Sequence, residues 1–140
     1  MVVEQIRPEV TWYIRQQVMW PDKPIDFVKL EDDFEGFHYG LYKDHVLTSV
    51  ISCFEKGDEL QFRKFATLKE YQGQGLGTYL LNYILDDAIK RGFKRIWCNA
   101  RADKKGFYEK FGLADTSKAF SKEGVTFTIM ELIVSRKSSG

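Results

Sequence analysis

Three glycines stand at alternate positions in the stretch "EYQGQGLGTYLL" (70–81): Gly73, Gly75 and Gly77. An apolar run follows them at once, so a helix begins where its poorest ordinary former is concentrated. Bare backbone at a helix start suits one kind of chemistry. The first amides of a helix lack intrahelical partners, and the helix dipole makes that end positive. Glycines then let the oxygens of a phosphate approach those amides closely. Gln72, Gly73, Gln74, Gly75, Leu76, Gly77 and Thr78 are therefore a candidate anion loop, to which the side chains of Gln72 and Thr78 could add donors. The dinucleotide fingerprint G-x-G-x-x-G does not fit, because Thr78 stands where its third glycine should be and the next strand holds no acid. A P-loop fails as well, for no Gly-Lys-Ser/Thr triplet follows. The alternative is a glycine-rich strand-to-helix turn that binds nothing.

The elements that must position this loop follow from periodicity. "VVEQI" is a short β-like start, and Pro8 with Glu9 opens a helix over 8–19, on which Val10, Ile14 and Val18 recur at fourfold spacing. Residues 21–36 are irregular, with room for a helical turn. The period then changes to two: "FHYGLYK" and "VLTSVISCF" flank Asp44-His45 as a hairpin, and 59–68 forms another strand after Lys56-Gly57-Asp58. Residues 76–91 form a helix with a broad apolar face of Leu76, Tyr79, Leu80, Tyr83, Ile84 and Ala88, widened by Leu81, Leu85 and Ile89 and ended by Gly92. "RIWCNA" (95–100) is a strand, 103–111 a short helix, and "LADTSKAF" and "VTFTIMELIV" a last hairpin around Ser121–Gly124. Hairpin runs around one βαβ crossover imply an α/β (α+β) fold with a mixed sheet and helices on its faces.

Composition bounds the function. A chain of 140 residues suits one compact domain. A net charge of +1 without a basic stripe disfavours nucleic acid. No apolar run approaches the ~20 residues of a membrane span. Cys53 and Cys98 lie far apart with no metal-ligand spacing and read as buried thiols, so no metal is expected. With no signal-peptide pattern in "MVVEQIRPE", a cytoplasmic location is expected. The tail "SRKSSG" is of low complexity and reads as frayed.

A second constellation, "NARADKKGFYEKFGL", begins on the strand after the loop helix. Together with "FATLKEYQGQGLGTYLL" it resembles the paired signatures of the GNAT superfamily of N-acetyltransferases, closely over residues 60–113 and more weakly over the whole chain. The resemblance implies a single domain over 1–135 with a flexible tail at 136–140. It implies a mixed sheet of six to seven strands, splayed between two parallel central strands (60–68 and 95–100) and flanked by about four helices. It also implies acetyl-CoA as co-substrate and an amine acceptor, with direct attack of the amine on the thioester. Members are often dimers, and the sheet's edge strands offer a route to a homodimer. Two other functions fit the same chain: a non-catalytic acyl-CoA-binding or sensor domain of the same fold, and a peptide- or nucleic-acid-binding module that reuses the edge strands, with the neutral charge against nucleic acid.

Carried over residue by residue, the resemblance puts the pantetheine arm against the backbone of Phe65, Ala66 and Thr67, and the diphosphate on residues 72–78. Asn99 falls where a pantetheine contact is common, and Phe107 near the cofactor. Tyr108 falls on the tyrosine that protonates the departing thiolate. The base varies in the family. Here His38 is the first candidate, since its ordinary pKa suits neutral pH, with Glu55 and Glu59 behind it. Arg63 either binds an acidic group of the substrate or pairs with a core carboxylate. The acceptor pocket is usually bordered by the last hairpin loop (118–125 here) and by the segment after the first helix (19–37 here). The latter carries Trp20, Phe27, Phe34 and Phe37 with Glu31, Asp32, Asp33 and Glu35, which would suit a cationic amine unless the acids are simply solvated.

Overall fold

A computed structural model of the chain describes residues 1–134; the tail expected at 136–140 lies outside the described residues. The strands form a seven-stranded sheet in the order β1-β2-β3-β4-β5-β7-β6. β1 (Val2–Ile6), β2 (Phe37–Lys43) and β3 (Val46–Lys56) pair antiparallel in turn, as do β5 (Arg95–Arg101), β7 (Val125–Ile133) and β6 (Ala114–Lys122). β4 (Glu59–Thr67) and β5 run parallel, joined at Glu59–Arg95, Leu60–Ile96 and Gln61–Trp97. The expected mixed sheet is thus present, with three α-helices among the described residues rather than about four: α1 (Pro8–Met19), α2 (Leu76–Lys90) and α3 (Lys105–Glu109). A 3-10 turn at Ala102–Lys104 takes up the start of the longer helix expected over 103–111.

The chain forms two compact units. The first comprises Met1–Phe54 and Phe62–Leu85. Its core gathers Ile14 of α1, Val50 of β3 and Ala66 of β4, with Ile6, Val18, Met19, Leu47 and Leu68 packed around them. The face α1 buries is more polar than fourfold spacing implies: Thr11, Ile14 and Arg15 are buried, while Val10 is exposed. Two 3-10 turns, Ile25–Val28 and Asp33–Glu35, order the segment expected to be irregular. Asp44 and His45 both take positive φ, 51° and 66°, as a two-residue hairpin turn between twisted strands requires. On α2, Leu76, Leu80, Leu81, Ile84 and Leu85 are buried, but Tyr79 and Tyr83 are exposed. The helix therefore hides a narrower face than its composition implies, and Tyr83 lies against Tyr39 with ring centroids 6.4 Å apart.

The second unit comprises Glu55–Gln61 and the chain from Asp86 onward. Arg95 ties three of its strands. Its Nε donates to Glu131 on β7 at 2.7 Å, its Nη1 donates to Glu59 on β4 at 3.0 Å, and its guanidinium lies over the Trp97 ring. The last hairpin turns tighter than expected. β6 and β7 run on through Lys122 and Val125, and Glu123 and Gly124, both at positive φ, make the turn alone. β6 is kinked between Asp115 and Ala119, where Ser117 has φ 64°.

Candidate functional site

In the first unit, β4 leads through a 3-10 turn (Lys69–Tyr71) into the glycine loop and α2. The three glycines serve two different needs. Gly73 and Gly75 have φ of 79° and 78°, the left-handed region that a side chain makes costly, and a Cβ on either would meet nothing within 4 Å. Gly77 has ordinary helical backbone. A Cβ there would lie 3.3 Å from Phe65 Cζ and 3.4 Å from Thr67 Oγ1, so its bareness lets α2 start close against β4. Helical bonding begins with Tyr79 N–H donating to Gly75 O at 3.0 Å. Among the described residues, no backbone amide from Gly73 to Thr78 donates a hydrogen bond. A row of unspent donors therefore stands at the positive end of a 15-residue helix, with open space on the side-chain side of Gly73 and Gly75.

Side chains hold this loop in shape. Gln72 Nε2 donates to the Thr67 carbonyl at 2.9 Å, and Thr67 Oγ1 shares a 2.8 Å bond with Ser49. One amide N–H of Gln72 is thus spent on β4. Lys43 at the end of β2 donates to Gln74 Oε1 at 2.8 Å, which brings a cation to the loop that the sequence had not singled out. On β4, Ala66 is buried in the α1 core, and Phe65 and Thr67 turn toward the start of α2. Lys64 has φ 55° within the strand. Arg63, which contacts Phe54 and Asp32, thereby shares the α1 side with Ala66 three residues on, where strict alternation would place them on opposite faces.

His38 on β2 is buried at 1% exposure. Its Nε2 lies 2.7 Å from the Asp33 carbonyl oxygen, which can only accept, so Nε2 carries the proton. Its Nδ1 then accepts from the Ser52 hydroxyl at 2.7 Å. Ser52 Oγ in turn accepts from Arg15 Nη2 at 2.8 Å, and Arg15 grips the Asp33 carboxylate with both terminal nitrogens at 2.9 Å. Trp12 Nε1 and the Leu30 amide add two more bonds to Asp33. Burial lowers the pKa of His38. Burial would raise that of Asp33, but its bonds to Arg15, Leu30 and Trp12 outweigh it, and the net direction is down. Asp33, expected among the acids of an acceptor rim, is instead fully buried and spent on Arg15. Arg63 pairs with Asp32, through Nη1 at 3.2 and 3.3 Å, with its guanidinium 5.1 Å from the Phe54 ring centroid.

The second unit carries the remaining expected residues. Asn99 is exposed on β5, opposite Ile129 of β7. Phe107 and Tyr108 are half-buried on α3, in edge contact at 5.2 Å, and Phe107 also packs on Phe111 at 5.0 Å. Burial, and secondarily the neighbouring Cys98, raise the Tyr108 pKa, so the phenol stays protonated at neutral pH. The buried Cys98 thiol is pushed up to about 12 by desolvation. Glu55 and Glu59 are bound by Arg91 and Arg95. Among the described residues no cluster of His, Cys, Asp and Glu could hold a metal, and no helix is long and apolar enough to cross a membrane.

The missed residues are Arg15, Ser52, Lys43, Phe54 and the burial of Asp33. Only Arg15 left a trace, as a charge next to Ile14 on the inward face of an amphipathic helix.

Comparison with known proteins places these features in context. The acetyltransferase (GNAT) domain family matches residues 23–134. The uncharacterised N-acetyltransferase YitI of Bacillus subtilis is 31% identical over 132 residues, 88% of this chain and 89% of that protein. The ribosomal-protein-S18-alanine N-acetyltransferase of Escherichia coli superposes with a TM-score of 0.80 at 19% identity, over 99% of this chain and 96% of that one. A GNAT family acetyltransferase of Elizabethkingia anophelis, solved with acetyl-CoA bound, superposes with a TM-score of 0.72 at 13% identity, over 95% and 97%.

Proposed function

Because this chain belongs to the acetyltransferase (GNAT) domain family, whose members are acyl-CoA N-acyltransferases, we propose that it moves an acetyl group from acetyl-CoA to a primary amine of a small-molecule or peptide acceptor. One observation carries the cofactor reading: the unspent amides of Gly73–Thr78 at the start of α2, opened by two left-handed glycines. A diphosphate satisfies that row of donors with charge-assisted bonds. The bound acetyl-CoA of the Elizabethkingia structure supports the same choice of ligand. Lys43, held at Gln74, adds a positive charge on the loop's flank. The pantetheine arm lies along Phe65, Ala66 and Thr67 as an added strand, with Asn99 and Phe107 as further cofactor contacts.

The acceptor amine attacks the thioester carbonyl directly. Its C–N bond forms, an oxyanion develops, and a backbone amide of 65–67 binds it, a donor typically worth about 3 kcal/mol. The C–S bond then breaks, and Tyr108 gives its proton to the leaving thiolate. The raised pKa of Tyr108 suits a donor that must stay loaded. Burial also makes the phenol a weaker acid, so the transfer needs a leaving thiolate that is itself desolvated and made more basic. His38 has no free lone pair, since Nδ1 accepts from Ser52 and Nε2 holds the proton. In this scheme it is a positioning residue for the 30–38 segment, and water carries the amine's proton to solvent.

The test is calorimetric titration with acetyl-CoA of the wild type, Gly75→Ala and Gly75→Glu. Both variants suffer the strain of a side chain at φ 78°, about 1 kcal/mol. Only Glu adds a carboxylate to the anion site. Micromolar binding by the wild type is expected, with Gly75→Glu weaker than Gly75→Ala by about tenfold or more. Equal affinities of the two variants, or no binding by the wild type, would remove the loop from the mechanism.

A further inference from the structure

We propose that the Arg63–Asp32 pair reads the acceptor, and that the acceptor is an amino-acid-like amine carrying a carboxylate. This rests on the acetyl-transfer reading and adds the acceptor's chemistry to it. Arg63 lies on β4 two residues before Phe65, so its backbone is within about 7 Å of the segment assigned to the thioester. The turn of backbone at Lys64 puts its side chain on the α1 side of the strand.

Three contacts fix the guanidinium. Asp32 takes Nη1 with both carboxylate oxygens, at 3.2 and 3.3 Å. The Phe54 ring lies beneath the guanidinium. That ring is itself seated against Gly36, where a Cβ would come within 2.5 Å of Phe54 Cε1, and in edge contact with His38 at 6.0 Å. Asp32 is held by its neighbour, because the Asp33 carboxylate is locked to Arg15, Trp12 and the Leu30 amide. The pair is thus pinned from below by the buried network, while both members stay partly exposed.

An exposed ion pair of this length adds little stability, so stability alone does not account for the arrangement. The edge of the fork that remains is informative. Among the described residues Arg63 Nε and Nη2 make no hydrogen bond. A planar guanidinium with one edge open and its plane fixed matches a carboxylate bidentately, with little entropy left to lose. A polycation fits the same place badly. The charge of Asp32 is already spent on Arg63, the Phe54 face is occupied, and an ammonium brought here meets the guanidinium.

The experiment offers purified enzyme and acetyl-CoA the twenty common amino acids, their carboxamides and the matched decarboxylated amines. Calorimetry with acetyl-CoA alone runs beside it. The expected result is a preference in kcat/KM for free acids over their amides of roughly 10- to 100-fold. Arg63→Gln should collapse that ratio toward one, chiefly through KM, and Arg63→Lys should restore part of it. Circular dichroism checks that both variants fold. Acetyl-CoA binding with amides or decarboxylated amines acetylated as well as acids overturns the proposal and leaves the acetyl-transfer reading standing. Acetyl-CoA binding with no carboxylate-bearing acceptor acetylated also overturns it. Absent acetyl-CoA binding defeats the underlying reading, and this inference with it.

Discussion

A proton added to His38 has no good place to go. The ring already donates from Nε2 to the Asp33 carbonyl, and protonating Nδ1 replaces the bond it accepts from Ser52 with two donors facing each other. To accept from Nδ1–H, Ser52 Oγ must turn its own proton away while still accepting from Arg15 Nη2, and that proton then loses its acceptor. The charged groups around the ring act in both directions: Asp33 and Asp32 favour the imidazolium, while Arg15 and burial oppose it, and burial is the largest effect. The folded pKa therefore lies below 6.5. Below pH 6.5 the unfolded chain binds a proton that the folded chain refuses, so stability falls with falling pH in that window and is complete above it. The slope this one group can add is at most about 1.4 kcal/mol per pH unit. Urea unfolding at pH 7.5 and 5.5 should show the wild type losing stability between the two, and His38→Gln losing less. An equal loss in both would assign the pH dependence to other groups.

At the scale of elements, the segment between α1 and β2 is the instructive case. Its strand and helix neighbours were legible because periods of two and 3.6 are local signals, and the hairpin at Asp44-His45 because turn chemistry is local too. The order of residues 25–35 was not legible. It depends on bonds from Asp33 to Arg15 and Trp12, 18 and 21 positions away, and on Arg15 reaching Ser52 across 37. No window of sequence contains such a network, and "EDDFE" read as a uniform acidic run although Asp33 is fully buried and Asp32 is not. The glycine loop shows the same division. Its glycines were legible as a group, but the separate task of Gly77 depends on Phe65 and Thr67 across the α2–β4 contact. The network makes a sharp prediction. Asp33→Asn leaves the Arg15 guanidinium buried without its counter-charge, and removing one partner of a buried pair costs about 3–5 kcal/mol. Arg15→Met combined with Asp33→Leu removes both charges, and should recover part of that loss in urea unfolding at neutral pH. A single Asp33→Asn change within about 0.5 kcal/mol of wild type would mean the pair contributes no such stability.

For the molecule as a whole, net charge supplies almost no long-range attraction for a highly anionic ligand: 21 basic residues face 20 acidic ones. In the proposed reading, affinity for CoA comes from local donors, the amides of Gly73–Thr78 and the ammonium of Lys43, rather than from a general positive field. Such binding is visible in global stability, because a ligand that binds only the folded chain raises its unfolding free energy by mass action. At a hundredfold excess over Kd the gain is about 2.7 kcal/mol, roughly 8 °C in Tm for a chain of this length. The source of the shift separates the parts of the cofactor. CoA and acetyl-CoA should raise Tm almost equally if, as proposed, the diphosphate supplies most of the contacts. Acetyl-pantetheine, which lacks the nucleotide and its diphosphate, should raise it little at the same concentration. Local short-range bonds survive salt better than field attraction, so most of the shift should persist at 0.5 M sodium chloride. A shift from acetyl-pantetheine equal to that from acetyl-CoA would place the affinity on the β4 segment and leave the glycine loop a structural turn.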